Sequence, residues 1–258
     1  MNNQVLAFEG VDFRYTPQGP AVLQRFNLQI PPGSITAVLG PNGTGKTTML
    51  HLATGWLKPL AGRILVSGRP LESYPRREMG RQVGLVPQSE HIPYDFSLLE
   101  YALLGRAPYL GPLAMPGPED YDLIEHVLGQ VGQYEQRFKS VLNLSGGEKQ
   151  LAMIARAMTQ QPAVLLLDEP TAHLDIGNKS RLVRLIKDLA GHGMTVVLTT
   201  HEPEFAAAAA THLVLMRRGQ VLECGTLEQV LTTENLSRLY GKTVEVLPHN
   251  GRQAVIWH

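Results

Sequence analysis

The side chains in this 258-residue sequence best suited to phosphate chemistry begin in the stretch GPNGTGKTT, residues 40–48. It fits G-x-x-x-x-G-K-[ST] through Gly40, Gly45, Lys46 and Thr47, with Pro41, Asn42, Gly43, Thr44 and Thr48 completing the loop. Glycines let a backbone close around phosphates, and the start of the following helix offers N–H groups. Lys46 is placed to reach the outer phosphates and Thr47 to ligate Mg²⁺. The alternative is a plain glycine turn ahead of a helix; the strand before the loop and the helix after it favour the phosphate reading. An acidic pair, Asp168 and Glu169, ends the apolar run PAVLLLDEP. Asp168 can hold the magnesium ion through its water shell, and Glu169 can take a proton from an attacking water. A carboxylate pair capping the turn before Pro170 is the alternative. His201 closes the run TVVLTTH and could hydrogen-bond a terminal phosphate or serve the structure alone. Gln88, after GLVP, could touch the metal or the water and is ambiguous alone. A second anion-type helix start lies at LNLSGGEKQLAMIARAM, where Ser145, Gly146, Gly147 and Glu148 open a helix. Its alternative is a serine N-cap with a glycine turn.

These residues need a scaffold that carries them to one place. SITAVLG, residues 34–40, reads as a short strand running into the loop, and KTTMLHLATG as the helix behind it, stopped by Gly55. VLAFEGVDFRY and AVLQRFNLQI, with Phe26, Leu28 and Ile30 alternating, suggest an antiparallel pair. GRILVSG and RQVGLVPQ add strands. PAVLLLDEP and MTVVLTTH are continuous apolar runs suited to parallel strands covered on both faces, and each is followed by a helical stretch. The alternation predicts an α/β fold with a parallel central sheet. The interval from Ser89 to Gln161 far exceeds the roughly dozen residues a crossover needs. It reads as helices: SLLEYALLGRA, a Pro/Gly break at LGPLAMPGPED, YDLIEHVLGQVG, and the Ser145 helix with its stripe of Leu151, Ile154, Ala155 and Met158. The tail predicts a hairpin at HLVLMRRGQVLECG, short helices near 226–240 and a second hairpin around PHNGR. The alanines at 206–210 read as closely packed helix.

With 23 basic and 23 acidic residues the formal net charge is zero, which argues against a nucleic-acid partner held by bulk charge. The one cysteine, Cys224, has no internal partner for a disulfide; it fits a reducing compartment and is expected to be a small buried hydrophobe. The first residues lack the pattern of a secretory leader. No apolar run approaches the roughly 20 residues that span a bilayer, so work at a membrane would require a separate anchor.

In chain order, Tyr15, GPNGTGKTT, Gln88, LSGGE, VLLLDEP, the AHLD stretch at 172–175 and His201 closely resemble the nucleotide-binding subunits of ABC transporters. The resemblance implies one ABC ATPase domain over 1–258, of the P-loop NTPase (RecA-like) type. Residues 1–88 and 162–258 would form the parallel-sheet core with an N-terminal antiparallel β part. Residues 89–161 would form an inserted α-helical subdomain. It implies ATP and Mg²⁺ as ligands, Tyr15 stacking on adenine, Glu169 as catalytic base, and Thr47, Gln88 and Asp168 around the metal. It also implies a homodimer in which Ser145 and Gly147, within Ser145–Glu148, cap the nucleotide held by a second copy, while Asp175 couples the two sites. Geometry alone leaves room for the Ser145 helix to serve its own chain. Thr44 and Thr47 stand where serines are commoner, and Glu148 where many relatives carry glutamine. SLLEYALLGRAPYLG at 97–111 and LDIGNK at 174–179 resemble importer ATPases for metal chelates: ferric siderophores, haem, cobalamin and, in some relatives, oxyanions such as molybdate. Integral-membrane permease subunits and, indirectly, a substrate-binding protein are the implied partners, without nucleic acid, at the cytoplasmic face of the inner membrane. A soluble ABC scaffold in iron–sulfur assembly or translation is the rival reading. A small-molecule kinase is a third.

Overall fold

The computed structural model describes residues 4–172, 174–249 and 252–257. Two strands, β1 (Leu6–Phe13) and β2 (Leu23–Ile30), pair antiparallel, and burial alternates from Phe26 to Ile30 along the second. Next come β3 (Ile35–Leu39), buried along its whole length, and α1 (Lys46–Ala53). Gly55, at φ +75°, adopts the left-handed conformation after this helix that side chains resist. β4 (Ala61–Val66) and β5 (Arg69–Pro70) return to the first pair, giving a four-stranded antiparallel sheet in the order β2-β1-β4-β5. α2 (Arg76–Gln82) then leads into β6 (Val83–Val86).

Helices follow: α3 (Leu98–Leu103), α4 (Pro118–Gln130) and α5 (Gly146–Thr159). Two of these starts are written into the sequence as capping boxes, Ser97 with Glu100 on α3 and Ser145 with Glu148 on α5. Leu151, Ile154, Ala155 and Met158 are all buried, as the helical spacing required. β7 (Val164–Leu167), α6 (Ile176–Gly191), β8 (Thr195–Thr200) and α7 (Pro203–Ala209) continue the α/β alternation. Of the alanine run, Ala206–Ala209 lies in α7 and Ala210 just beyond it. The chain closes with β9 (His212–Arg217), β10 (Gln220–Thr226), α8 (Leu227–Val230), α9 (Thr233–Tyr240), β11 (Val244–His249) and β12 (Arg252–Trp257). The last two strands pair antiparallel, as the second hairpin required; its tip, Asn250–Gly251, lies outside the described residues. So does His173 of the AHLD stretch.

The central sheet has six strands in the order β10-β9-β3-β8-β7-β6. Its pairs from β9 through β6 are all parallel, and β10 joins antiparallel at the edge. Alternation splits its residues between two cores. Val38, Val164, Leu166, Val197, Val214 and Met216 face α1 and the antiparallel sheet. Ala37, Leu39, Leu165, Leu167, Val196 and Leu198 face the apolar cluster that continues into α3, α4, α5 and α6. Cys224 corrects an expectation. It is exposed, because β10 is an edge strand and the neighbouring Glu223 also faces solvent.

Candidate functional site

β3 ends at Leu39, and the backbone must turn at once beneath β9. A Cβ at Gly40 would collide with the Met216 carbonyl, which explains glycine at the entry. Gly45, at φ +100°, needs the same freedom where the loop becomes α1. The backbone N–H groups from Gly43 to Thr48 meet no acceptor among the described residues. Those from Gly45 to Thr48 are the unpaired donors of a helix start, and these four residues, with Gly43, line one cavity.

Lys46 is buried, at 5 % exposure, yet its ammonium group is well held. It donates to the carbonyls of Gly40 at 2.7 Å and Pro41 at 3.2 Å, and lies 3.4 Å from Glu169 Oε1. The Thr47 hydroxyl donates to Asp168 Oδ2 at 2.8 Å. Asp168 stands just past the end of β7, almost fully buried, and its second oxygen accepts from Thr199 Oγ1 at 2.6 Å. Glu169 follows in left-handed backbone, φ +44°, and its Oε2 lies 2.7 Å from His201 Nδ1. The acidic pair thus splits by direction: one carboxylate turns to the start of α1, and the other lies between Lys46 and His201.

The cavity over these groups measures about 630 Å³. Tyr15 and Thr48 line it, and so do Gln88, Glu169 and His201. Tyr15 is 62 % exposed, with its hydroxyl 2.9 Å from Thr48 Oγ1 and its ring packed edge-on against Phe13, an arrangement that leaves ring surface open. A larger hollow of 970 Å³ on the other side of Tyr15 includes Arg14 and Arg25 but none of the loop residues 40–48.

Ser145, Gly146, Gly147 and Glu148 do not line the 630 Å³ cavity of their own chain. Ser145 and Gly146 are exposed at the start of α5, where the Glu148 N–H donates to Ser145 Oγ at 3.3 Å and the Ser145 N–H donates to Glu148 Oε2 at 2.7 Å. That backbone hydrogen bond is the main cause holding the Glu148 carboxyl at about 2. Asp175 is also outside the cavity, capping α6 by accepting from the Asn178 N–H at 2.7 Å.

Sequence reasoning missed four polar residues here. Lys179 Nζ lies 2.5 Å from Glu202 Oε2, and the Thr171 hydroxyl donates to Glu202 Oε1 at 2.8 Å. Burial alone would raise the Glu202 carboxyl, but the hydrogen bonds from Lys179 and Thr171, with the charges of Lys179 and His201, hold it below the ordinary glutamate range. The fourth, Thr199, lies inside an apolar run, where threonine reads as a strand former. Lys179 carried one usable signal: it sits one helical turn after Asp175.

Residues 23–172 match the family described as ABC transporter. The chain is 31 % identical over 256 residues to the probable iron chelatin transport ATP-binding protein of Helicobacter pylori, covering 97 % of this chain and 98 % of that one. It is 34 % identical to the molybdate import ATP-binding protein MolC of Haemophilus influenzae, covering 92 % and 88 %. This chain belongs to the ABC transporter family. Among solved structures, an inward-facing ABC transporter described as metal-chelate type superimposes with a TM-score of 0.85 at 31 % identity, covering 99 % of this chain and 98 % of that one. A dimeric bacterial ABC transporter cassette does so with a TM-score of 0.77 at 27 % identity, covering 86 % and 98 %.

As an ABC transporter ATPase the chain binds ATP and couples its hydrolysis to transport. The unpaired N–H groups and the buried Lys46 suit a triphosphate. A metal ion is a separate question of donors. Among the described residues no group of three or more His, Cys, Asp or Glu side chains could hold one. Thr47 and Asp168 instead bring a hydroxyl and a carboxylate together, hard oxygen donors with Gln88 in the same cavity. That set fits Mg²⁺, which keeps several waters and takes substrate phosphates as ligands instead of a full protein cage.

Proposed function

We propose that this chain is the ATP-hydrolysing subunit of an importer for metal chelates such as ferric siderophores, haem or cobalamin, and that it works as a homodimer. The observation that carries the hydrolytic part is the meeting of Lys46, Glu169 and His201 within hydrogen-bonding or ion-pair distance at the mouth of the glycine loop. Tyr15 stacks on the adenine. Lys46 and the N–H groups of residues 43–48 grip the phosphates. Thr47, Asp168 and Gln88 would hold Mg²⁺, which would supply charge neutralisation to the phosphates. His201 hydrogen-bonds the γ-phosphate, and Glu169 takes a proton from the water whose oxygen attacks the γ-phosphorus as ADP leaves.

Ser145, Gly146 and Gly147, with Glu148 fixing their turn, cap the γ-phosphate bound by the second copy, and Asp175 couples the two sites. The exposure of Ser145, Gly146 and Asp175, and the absence of all these residues from the lining of their own chain's cavity, support this arrangement. A helix N-terminus favours negative charge, so loss of the γ-phosphate weakens the closed interface.

No helix among the described residues is long and apolar enough to cross a membrane. The likeness to an iron chelatin transport ATP-binding protein and to a metal-chelate type transporter supports a peripheral place at the cytoplasmic face of the inner membrane, held by a permease. A groove of 730 Å³ beside α2, α3 and α5, with exposed Trp56 and Leu104 on its walls, suits that partner. Similarity to an iron chelatin ATPase and to a metal-chelate type transporter supports the cargo class, which a substrate-binding protein and the permease would select. Purification from detergent-solubilised membranes tests the reading: a polytopic membrane protein should accompany the chain, and deleting the chain should abolish uptake of an iron chelate, haem or cobalamin. A chain that returns alone and leaves all three uptakes intact would point to a soluble scaffold instead.

A further inference from the structure

We infer that Thr199, buried in β8, is a positioning residue that sets both Asp168 and Glu169 for hydrolysis. The inference rests on the reading of Glu169 as the base. β8 is buried at every position, and Thr199 itself is 0 % exposed. A hydroxyl in such a place costs free energy unless it is hydrogen-bonded. Thr199 uses both sides of its oxygen: it donates to Asp168 Oδ1 at 2.6 Å and accepts from the Glu169 N–H at 2.9 Å.

The register explains why this residue and not a neighbour makes the bridge. β7 and β8 run parallel, with Leu167 beside Leu198, so the next step brings Asp168 beside Thr199. Leu166 and Val197, one position earlier on the same side, both face α1. Asp168 and Thr199 therefore point to the side of α1, whose second residue is Thr47. One Asp168 oxygen is fixed by Thr199, leaving the other aimed at the Thr47 hydroxyl.

The second half of the bridge concerns backbone shape. At φ +44° Glu169 occupies a region that a side chain with a Cβ adopts only under constraint. Arg25, Ser67, Gln161 and Arg218 share the positive φ, but among these residues Glu169 alone lines the catalytic cavity. The Thr199 oxygen anchors the Glu169 N–H at this turn. With it, the carboxylate lies 3.4 Å from Lys46 Nζ and 2.7 Å from His201 Nδ1. Without it, Glu169 relaxes toward ordinary backbone and its carboxylate leaves that position, while nucleotide still binds through the loop.

Two pairs of variants that differ chiefly by the hydroxyl test this: wild type against Thr199→Val, and Thr199→Ser against Thr199→Ala. The full chain is assayed for phosphate release over a range of ATP concentrations. Within each pair, losing the hydroxyl should lower kcat by about tenfold to a hundredfold and leave KM within about threefold, the pattern of a lost transition-state contact. The serine and alanine pair carries the comparison should Thr199→Val not fold. Equal kcat within the pairs overturns the inference, as does a rise in KM at constant kcat. Glu169→Gln, run alongside, separates the two failures. A wild-type rate in that variant removes the base and, with it, the role of Thr199. An inactive Glu169→Gln with hydroxyl-independent rates at position 199 sinks the Thr199 inference alone.

Discussion

Replacing Lys46 with alanine removes the one buried cation among the described residues that touches both the glycine loop and the proposed base. In the wild-type chain the ammonium group is held by the carbonyls of Gly40 and Pro41 at 2.7 and 3.2 Å and by Glu169 Oε1 at 3.4 Å. At 5 % exposure it is poorly screened, and it already stands where a triphosphate would enter. Truncating one partner of a buried, hydrogen-bonded charge pair costs about 2–5 kcal/mol of binding, which is roughly thirtyfold to several-thousandfold in Kd. The upper part of that range applies if Lys46 contacts two phosphates, the lower part if the N–H groups of the loop carry most of the charge. Titration of the purified variant with Mg-ATP, by calorimetry or by a fluorescent analogue, gives the number. Thermal unfolding without nucleotide controls for damage to the fold. A well-folded Lys46→Ala chain whose Kd stays within about threefold of wild type, a difference of about 0.65 kcal/mol, would refute the assignment of Lys46 to the phosphates.

Glu169→Gln keeps shape and hydrogen bonding but cannot accept a proton, so kcat should fall about 10²- to 10⁴-fold while ATP affinity is retained; a rate near wild type in a phosphate-release assay would exclude Glu169 as base. The capping box of α5 predicts a pH effect. The Glu148 carboxyl is held at about 2, against 4.5 unperturbed, so its contribution to stability is fully present above about pH 4.5 and is lost as pH falls toward 2. In urea unfolding, the stability advantage of wild type over Glu148→Gln should therefore be constant at neutral pH and shrink across that acid window; a pH-independent difference would contradict it.

The phosphate loop was legible because its chemistry is local: glycines, lysine and threonine must be contiguous to wrap one anion, and the flanking periods change from strand to helix within a few residues. Asp168 and Glu169 were legible for a related reason, since an apolar run ending in two acids marks a parallel strand arriving at a polar edge. Thr199 escaped because its significance lies in register. TVVLTT reads as strand-forming sequence, and only the pairing of β7 with β8 places that hydroxyl beside Asp168. Nothing in the sequence joins Lys179 to Glu202, 23 positions apart, until the start of α6 and the turn after β8 bring them within 2.5 Å. Cys224 was misjudged because composition reports what cysteines usually do, whereas exposure here follows from β10 being the sheet's last strand. The Ser145 helix start was visible in the sequence and is read as an anion site, but the sequence left open whose anion it would meet.

That question is decided most directly by the mass of the Glu169→Gln chain in solution, measured by light scattering with and without Mg-ATP. If each nucleotide is gripped by the glycine loop of one copy and by Ser145 of another, saturating Mg-ATP should double the mass, and removing the nucleotide should restore the monomer. A Glu169→Gln chain that binds Mg-ATP tightly and keeps a monomer's mass at every concentration would contradict the account.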